Sequence, residues 1–356
     1  MVQQKTCIFI LGMHRSGTSA LTGMLNLLGV ELGTDLMQPW ADNPKGFFEN
    51  NKIWQFNQKI LESFGSSWDD PFLYGDDWCS HHALEPFEHY IIDLLDNEFA
   101  DSPLFAIKDP RMCILFPLWK SVLDKQGVRS VCVLPFRHPM EVARSLTKRN
   151  GYSNEKGILL WTNYTLTAER VSRGCRRLFL EFADLFSGGE QIVDKMMKNM
   201  QLSFPLTCAE AGDRINDFLD RDLKHHAATA MASTVVESRV QKIYEHYCRA
   251  VDLNASSTWE EELDQLALEY IQMASFFLNS DLQEVAGCPR ELKTAERSIA
   301  TLEMDCTELK GKLSQAEGNL SALQVKKQAQ EDEMNRMRDT KAWRLAELVR
   351  RLKARL

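Results

Sequence analysis

Two glycines, Gly12 and Gly17, bracket Met13, His14, Arg15 and Ser16 in the stretch CIFILGMHRSGTSALTGMLNLLGV, and Thr18 and Ser19 follow directly. A glycine-bracketed loop between an apolar run and a helical pattern gathers backbone N–H groups and a helix N-terminus around one point, which attracts an anion. The spacing therefore predicts a phosphate site. In nucleotide hydrolases and many kinases a lysine directly after the second glycine reaches the outer phosphates, and the next hydroxyl holds magnesium. Here Thr18 stands after Gly17, and the cation is Arg15, two residues before it. A second arrangement of the same kind lies in VCVLPFRHPMEVARSL, where Arg137 ends an apolar run, His138 and Pro139 make a turn, and Ser145 follows on a helical stretch. An arginine at a strand end and a serine on the next helix can converge on one phosphate from two sides. Read alone, Arg137 would be an ion-pair partner and Ser145 an ordinary helix residue.

Short β-branched or aromatic runs position these residues: TCIFILG near the start, LFAIKD at Leu104 to Asp109, SVCVLPF at Ser130 to Phe136, and RRLFLEF at Arg176 to Phe182. They read as buried parallel strands. Helical patterns lie between them, over Ser19 to Leu28, over Pro139 to Arg149 with proline near the start, and over Glu155 to Ser172. Alternating strand and helix predicts an α/β fold, a doubly wound parallel sheet flanked by helices. Ala41 to Trp78 is rich in Pro, Gly, Asn, Asp and aromatics and reads as an excursion over the carboxyl ends of the strands, where such sheets bind ligands. Residues after about Phe204 read as mostly helical, with Ser257 or Thr258 able to cap a helix over Ser256 to Leu278.

The loop GMHRSGTSAL resembles the 5′-phosphosulfate loop of sulfotransferases that use 3′-phosphoadenosine 5′-phosphosulfate, in which a Lys or Arg stands at the position of Arg15. Sulfuryl transfer requires charge neutralisation at the bridging oxygen and the departing 5′-phosphate, and a cation inside the loop suits that task without demanding a metal. Arg137 and Ser145 are similar to the 3′-phosphate motif of that family. LFAIKDPRMCILFPLW resembles a Lys-Asp-Pro stretch of its protein-tyrosine branch, which implies that Lys108 assists the leaving group. The bland alternative has Lys108 and Asp109 closing the strand through ion pairs with their neighbours. INDFLDRDLKHH is similar to a stretch near the carboxyl end of bacterial sulfotransferase domains, so the resemblance spans about residues 5 to 230. It implies a P-loop-like fold, with Arg15, Ser16, Gly17, Thr18 and Ser19 cradling the 5′-phosphosulfate, and Arg137 and Ser145 the 3′-phosphate. It also implies a base shortly after the first helix. Glu49 in NPKGFFEN is the candidate, because partial burial between aromatics would raise its pKa. Asp42, Asp69, Asp70 and His14 are rivals, and Glu49 could equally be the first acidic residue of a helix beginning near Asn50.

A formal net charge of −8 disfavours a general nucleic-acid binder, so any anion site must be local. The rival enzyme class is a P-loop kinase, which the missing lysine and the second phosphate site disfavour. No metal-binding constellation is visible in the sequence. No signal-peptide pattern stands at the N-terminus, which predicts a cytoplasmic protein. The nine cysteines include no C-x-x-C pair and read as reduced thiols. Phe47, Phe48, Trp54, Trp68, Phe72 and Trp78 could stack on sugar faces, making a glycan or glycolipid the leading acceptor class, though each could equally be core.

Beyond a nucleotide-binding domain over 1–287, a heptad seam runs from Leu292 through Ile299, Leu302, Leu309, Leu313, Leu320 and Leu323, and polar Lys327 and Gln330 then interrupt it. This predicts a coiled coil over 288–340 and a homo-oligomer, most simply a dimer. Residues 341–356 form a basic amphipathic tail suited to peripheral contact with an anionic membrane or an acidic partner. A non-catalytic nucleotide-binding scaffold built around the coiled coil is the non-enzyme rival.

Overall fold

A computed structural model describes residues 4–40, 43–71, 85–186, 188–219, 235–251, 259–272, 320, 323–338 and 340–354. The chain forms two compact units, Met1–Ser275 and Phe276–Leu356.

In the first unit four strands, β1 (Thr6–Ile10), β2 (Leu104–Lys108), β3 (Arg129–Phe136) and β4 (Arg176–Glu181), form a parallel sheet in the order β2-β1-β3-β4. Thr6 sits between Leu104 on one side and Arg129 on the other, and Val131 pairs with Arg176. Each strand lies inside one of the predicted runs or begins one residue before it. Because side chains alternate faces along a strand, β1 sends Cys7 and Phe9 into one core and Ile8 and Ile10 into another.

The first core is covered by α4 (Met112–Lys125), α6 (Asn154–Ser172) and α9 (Val235–Ala250), whose Trp119, Trp161 and Tyr247 are fully buried in it. The second is covered by α1 (Thr18–Leu27), α7 (Gly189–Met200) and α8 (Cys208–Phe218). Helices on both faces make the sheet doubly wound, as expected. The remaining helices of this unit are α2 (Asn51–Ser63), α3 (Glu85–Phe99), α5 (Pro139–Asn150) and α10 (259–272).

The segment read as an excursion contains the helix whose start near Asn50 was the alternative reading of Glu49: α2 buries Ile53, Phe56, Asn57, Ile60 and Leu61 at helical spacing. Asn50 caps this helix, its side-chain oxygen accepting from the N–H groups of Lys52 and Ile53 at 3.0 and 3.2 Å.

Cys7, Cys113 and Cys132 are buried and Cys175, Cys208 and Cys248 partly buried, all as free thiols; Cys79, Cys288 and Cys306 lie outside the described residues. Among the described residues no helix is long and apolar enough to cross a membrane.

In the second unit α11 (323–338) and α12 (Lys341–Lys353) meet at Thr340, whose hydroxyl donates to the Met337 carbonyl at 2.7 Å and accepts from the Trp343 N–H at 3.3 Å. Leu320, Leu323, Met334, Met337, Leu345 and Leu348 are exposed. The seam from Leu292 to Ala316 lies outside the described residues.

Candidate active site

All four strands deliver a side chain to one place, the carboxyl edge of the sheet. The strand order makes β1 the point where the chain turns from one side of the sheet to the other, since β2 lies on one flank and β3 on the other. That is where open α/β sheets leave a crevice. The glycine-bracketed loop follows β1, Lys108 ends β2, Arg137 follows β3, and Phe182 follows β4.

Gly17 caps α1 at φ 89°, and a Cβ there would meet the Phe182 ring at 2.4 Å. Only glycine fits that position. Arg15 also holds a positive φ, 69°, which costs a non-glycine residue about 1 kcal/mol or more. Its side chain is tied across the crevice, with Nε donating to Ser145 Oγ on α5 at 2.8 Å. The helix that presents Ser145 starts with Pro139, and its N-cap His138 accepts from the Met140 N–H at 3.3 Å.

Arg137 is buried. Its Nε donates to Glu141 at 2.6 Å, its guanidinium lies 4.4 Å from the centre of the Phe182 ring, and its carbonyl accepts from the Trp161 indole at 3.0 Å. The ion-pair reading of Arg137 is thus part of the picture, but Nη2 remains. That nitrogen, the hydroxyl of fully buried Ser16 and His14 Nε2 are buried polar atoms without a hydrogen-bond partner. Such groups are costly unless a ligand or water completes them. Two of these three atoms belong to residues that the sequence assigned to the nucleotide.

Lys108 and Glu49 form a buried ion pair. The Lys108 ammonium also donates to Ser19 Oγ at 3.2 Å and the Phe47 carbonyl at 3.1 Å. Burial pushes the Glu49 carboxyl up from its ordinary value, against the opposing charge of Lys108. The sequence singled out both residues without pairing them.

Two supports escaped sequence reading. Glu98 on α3 accepts from the Thr34 N–H at 2.7 Å and from Asn50 Nδ2 at 2.8 Å, and pairs with Lys52, so it clamps the turn that carries Glu49. Burial would raise this carboxyl, yet these donors outweigh burial and hold it at about 2. Asp109 is bonded by Arg111 at 3.0 Å and by Asn57 Nδ2 at 2.9 Å, while Asn57 Oδ1 accepts from the Trp119 indole at 2.9 Å. Lys108 and Asp109 therefore face separate partners. No short-range signal marks Glu98 or Asn57, because their partners come from distant segments.

The crevice opens into a cavity of about 330 Å³ lined by Arg15, Thr18, Ser19, Glu49 and Lys108, together with Phe47, Trp54 and Trp68. Phe48 instead packs edge-on against Phe218, ring centres 5.6 Å apart. Phe72 and Trp78 lie outside the described residues, as does Asp42. His14 lines the cavity too, its ring edge-on to Trp68 at 4.6 Å. Burial, followed by the charges of Arg149, Arg111, Lys108 and Arg15, holds its pKa well below the usual imidazole value. Asp69 is engaged by Lys156 at 2.7 Å and Tyr152 at 2.8 Å, which outweigh burial and hold it at about 2, too acidic for an effective base. Asp70 accepts from Ser66 Oγ at 2.8 Å.

No family model and no curated protein matches the sequence. Among solved structures the chain is similar to the sulfotransferase domain of the olefin synthase from Synechococcus PCC 7002, with 18% identity and a TM-score of 0.38 over 75% of this chain and 95% of that one. Likeness of that degree carries no weight for activity, and the chemistry has to come from the side chains.

Proposed function

We propose that the chain is a sulfotransferase that moves a sulfuryl group from 3′-phosphoadenosine 5′-phosphosulfate to a hydroxyl or amine acceptor, with a glycan or glycolipid as the acceptor class. The observation that carries this reading is the bond between Arg15 and Ser145, which brings the glycine-bracketed loop and the Arg137 segment to one point. A nucleotide phosphorylated at both 5′ and 3′ positions needs two such sites side by side. The residues fit it chemically: the N-terminus of α1 and Arg15 face one anion, and Arg137 and Ser145 another. The unpartnered Ser16 Oγ and Arg137 Nη2 supply donors for both.

Bound there, the donor supplies an activated sulfuryl group on a phosphate leaving group. Lys108 then turns its ammonium from Glu49 to the oxygen that leaves sulfur, which neutralises the charge developing there. Glu49, released from that pair, takes the acceptor's proton. The acceptor atom bonds to sulfur as the sulfur–oxygen bond to the 5′-phosphate breaks, with no covalent enzyme intermediate. In the same reading residues 1–287 are the catalytic domain, and 288–340 join copies of the chain through a coiled coil.

The test is transfer of label from 35S-phosphosulfate donor to a panel of saccharide, lipid and phenolic acceptors. Transfer that depends on Glu49 and Lys108 is the expected result. Failure to transfer, together with failure to bind 3′,5′-adenosine bisphosphate, would overturn the reading.

A further inference from the structure

The second unit carries α12, an amphipathic helix that the transfer chemistry does not use. Leu345, Leu348 and Val349 stand at positions i, i+3 and i+4, so they share one helix face. They are 68%, 61% and 47% exposed. Large aliphatic side chains left this open on adjoining turns make an apolar stripe that gains by leaving water.

Cations flank the stripe on both sides. Arg344 and Arg351 lie four residues before and three residues after Leu348, along one edge, and Lys353 lies four after Val349, along the other. Lys341, four residues before Leu345, continues the line of the stripe one turn earlier. The helix has one carboxylate, Glu347, two positions from both Leu345 and Val349 and therefore on the far side. Arg350 and Arg351 engage it at 3.3 and 3.5 Å. A helix with five cations and one carboxylate thus sits in a chain whose net charge is −8.

A second copy of the chain does not suit this face. Carried into α12, the heptad seam would read Lys341, Arg344, Leu348 and Arg351, and a partner helix would bring like charges together there. Cations on both edges call instead for negative charge on both sides of the place where the stripe sinks. A planar anionic surface supplies that at every position, and the stems of Arg and Lys can lie along apolar surface while their charged heads stay in water. We propose that α12 docks flat on an anionic bilayer, with Leu345, Leu348 and Val349 at the acyl boundary and the flanking cations among the lipid headgroups. Interfacial helices are held in this way, by buried apolar area together with attraction to anionic lipid. The inference is independent of the chemistry assigned to the first unit.

Co-sedimentation of the full-length protein with vesicles tests it, using phosphatidylcholine alone and a mixture of phosphatidylcholine with phosphatidylserine. The mixed vesicles are expected to bind the protein at least about tenfold more tightly, and the preference should shrink as salt screens the surface. Replacing Arg344→Gln and Arg351→Gln together should weaken that binding by roughly thirtyfold, about fivefold for each cation at the surface. Leu345→Ser with Leu348→Ser should also release the protein, although every charge is kept. Circular dichroism of each variant should match the wild type, since the substituted side chains are exposed. Equal binding to neutral and anionic vesicles, or anionic binding that survives the paired arginine replacement, would overturn the proposal. Binding that survives the paired leucine replacement would overturn it too, because charge alone would then hold the protein. So would polyglutamate that binds as tightly as the mixed vesicles, which would assign the helix to an acidic protein.

Discussion

Arg15 Nε donates to Ser145 Oγ at 2.8 Å across 130 positions of sequence. The loop after β1 and the helix after β3 are therefore coupled before any ligand is considered. Arg15→Ala and Ser145→Ala should each weaken 3′,5′-adenosine bisphosphate. Their effects should also fail to add, with a coupling of about 0.5–3 kcal/mol in a double-mutant cycle measured by calorimetry. Strict additivity would mean that the two sites act separately.

Glu49→Gln keeps the shape of the side chain but removes its ability to take a proton. Turnover should fall by roughly two to four orders of magnitude, with donor affinity little changed. Unchanged turnover would pass the role to His14, whose imidazole is held neutral near pH 7 by burial and nearby cations.

The same carboxylate sets the acid limb of the pH–rate profile. Burial raises the Glu49 pKa, and the base is lost as pH falls through it, so kcat/KM should decline on the acid side at a pH above the ordinary carboxyl value of 4.5. The limb should be absent from the residual activity of Glu49→Gln. A rate that stays flat down to pH 4 would separate Glu49 from the chemistry.

Asp69 gives a prediction on stability. Its carboxyl is depressed from 3.8 to about 2, so its contribution is present in full above pH 3.8 and lost as pH falls through about 2. Solvent screening of this partly exposed pair brings the size down to about 1 kcal/mol. Urea unfolding should find Asp69→Asn less stable than wild type at pH 6 by about that amount, and the gap should close as pH approaches 2. A gap independent of pH would show that the charge is not what stabilises.

The tail predicts assembly. Apolar a and d positions from Leu292 to Leu323 cannot all be hidden by one helix in water, so the full chain is expected to be a dimer and a chain ending at Gly287 a monomer. Light scattering decides this, and two monomers would remove the coiled coil.

Much of the sheet was legible because buried parallel strands are written as short β-branched runs, and because Gly12, Gly17 and Pro139 punctuate the chain where the backbone must turn. That pattern led to the loop, to Lys108 and to Arg137. Pairing was not legible. Nothing near Glu49 says that Lys108 will reach it, and Glu98 and Asn57 look like ordinary helix residues until tertiary contacts bury them. Arg149 reads from sequence as a basic residue in the last turn of a helix, where it suits the dipole, and only the fold puts it over Trp68. The start of the helix Asn51–Ser63 was legible at Asn50, and its buried positions keep the helical period.

The most direct test of the central claim, two phosphate sites at one crevice, is calorimetry of the full-length protein with 3′,5′-adenosine bisphosphate and with 5′-AMP. Wild type should bind the bisphosphate more tightly by about 1.5–3 kcal/mol, and Arg137→Ala should erase most of that difference while leaving 5′-AMP unchanged. Equal affinity of the wild type for the two nucleotides would contradict it.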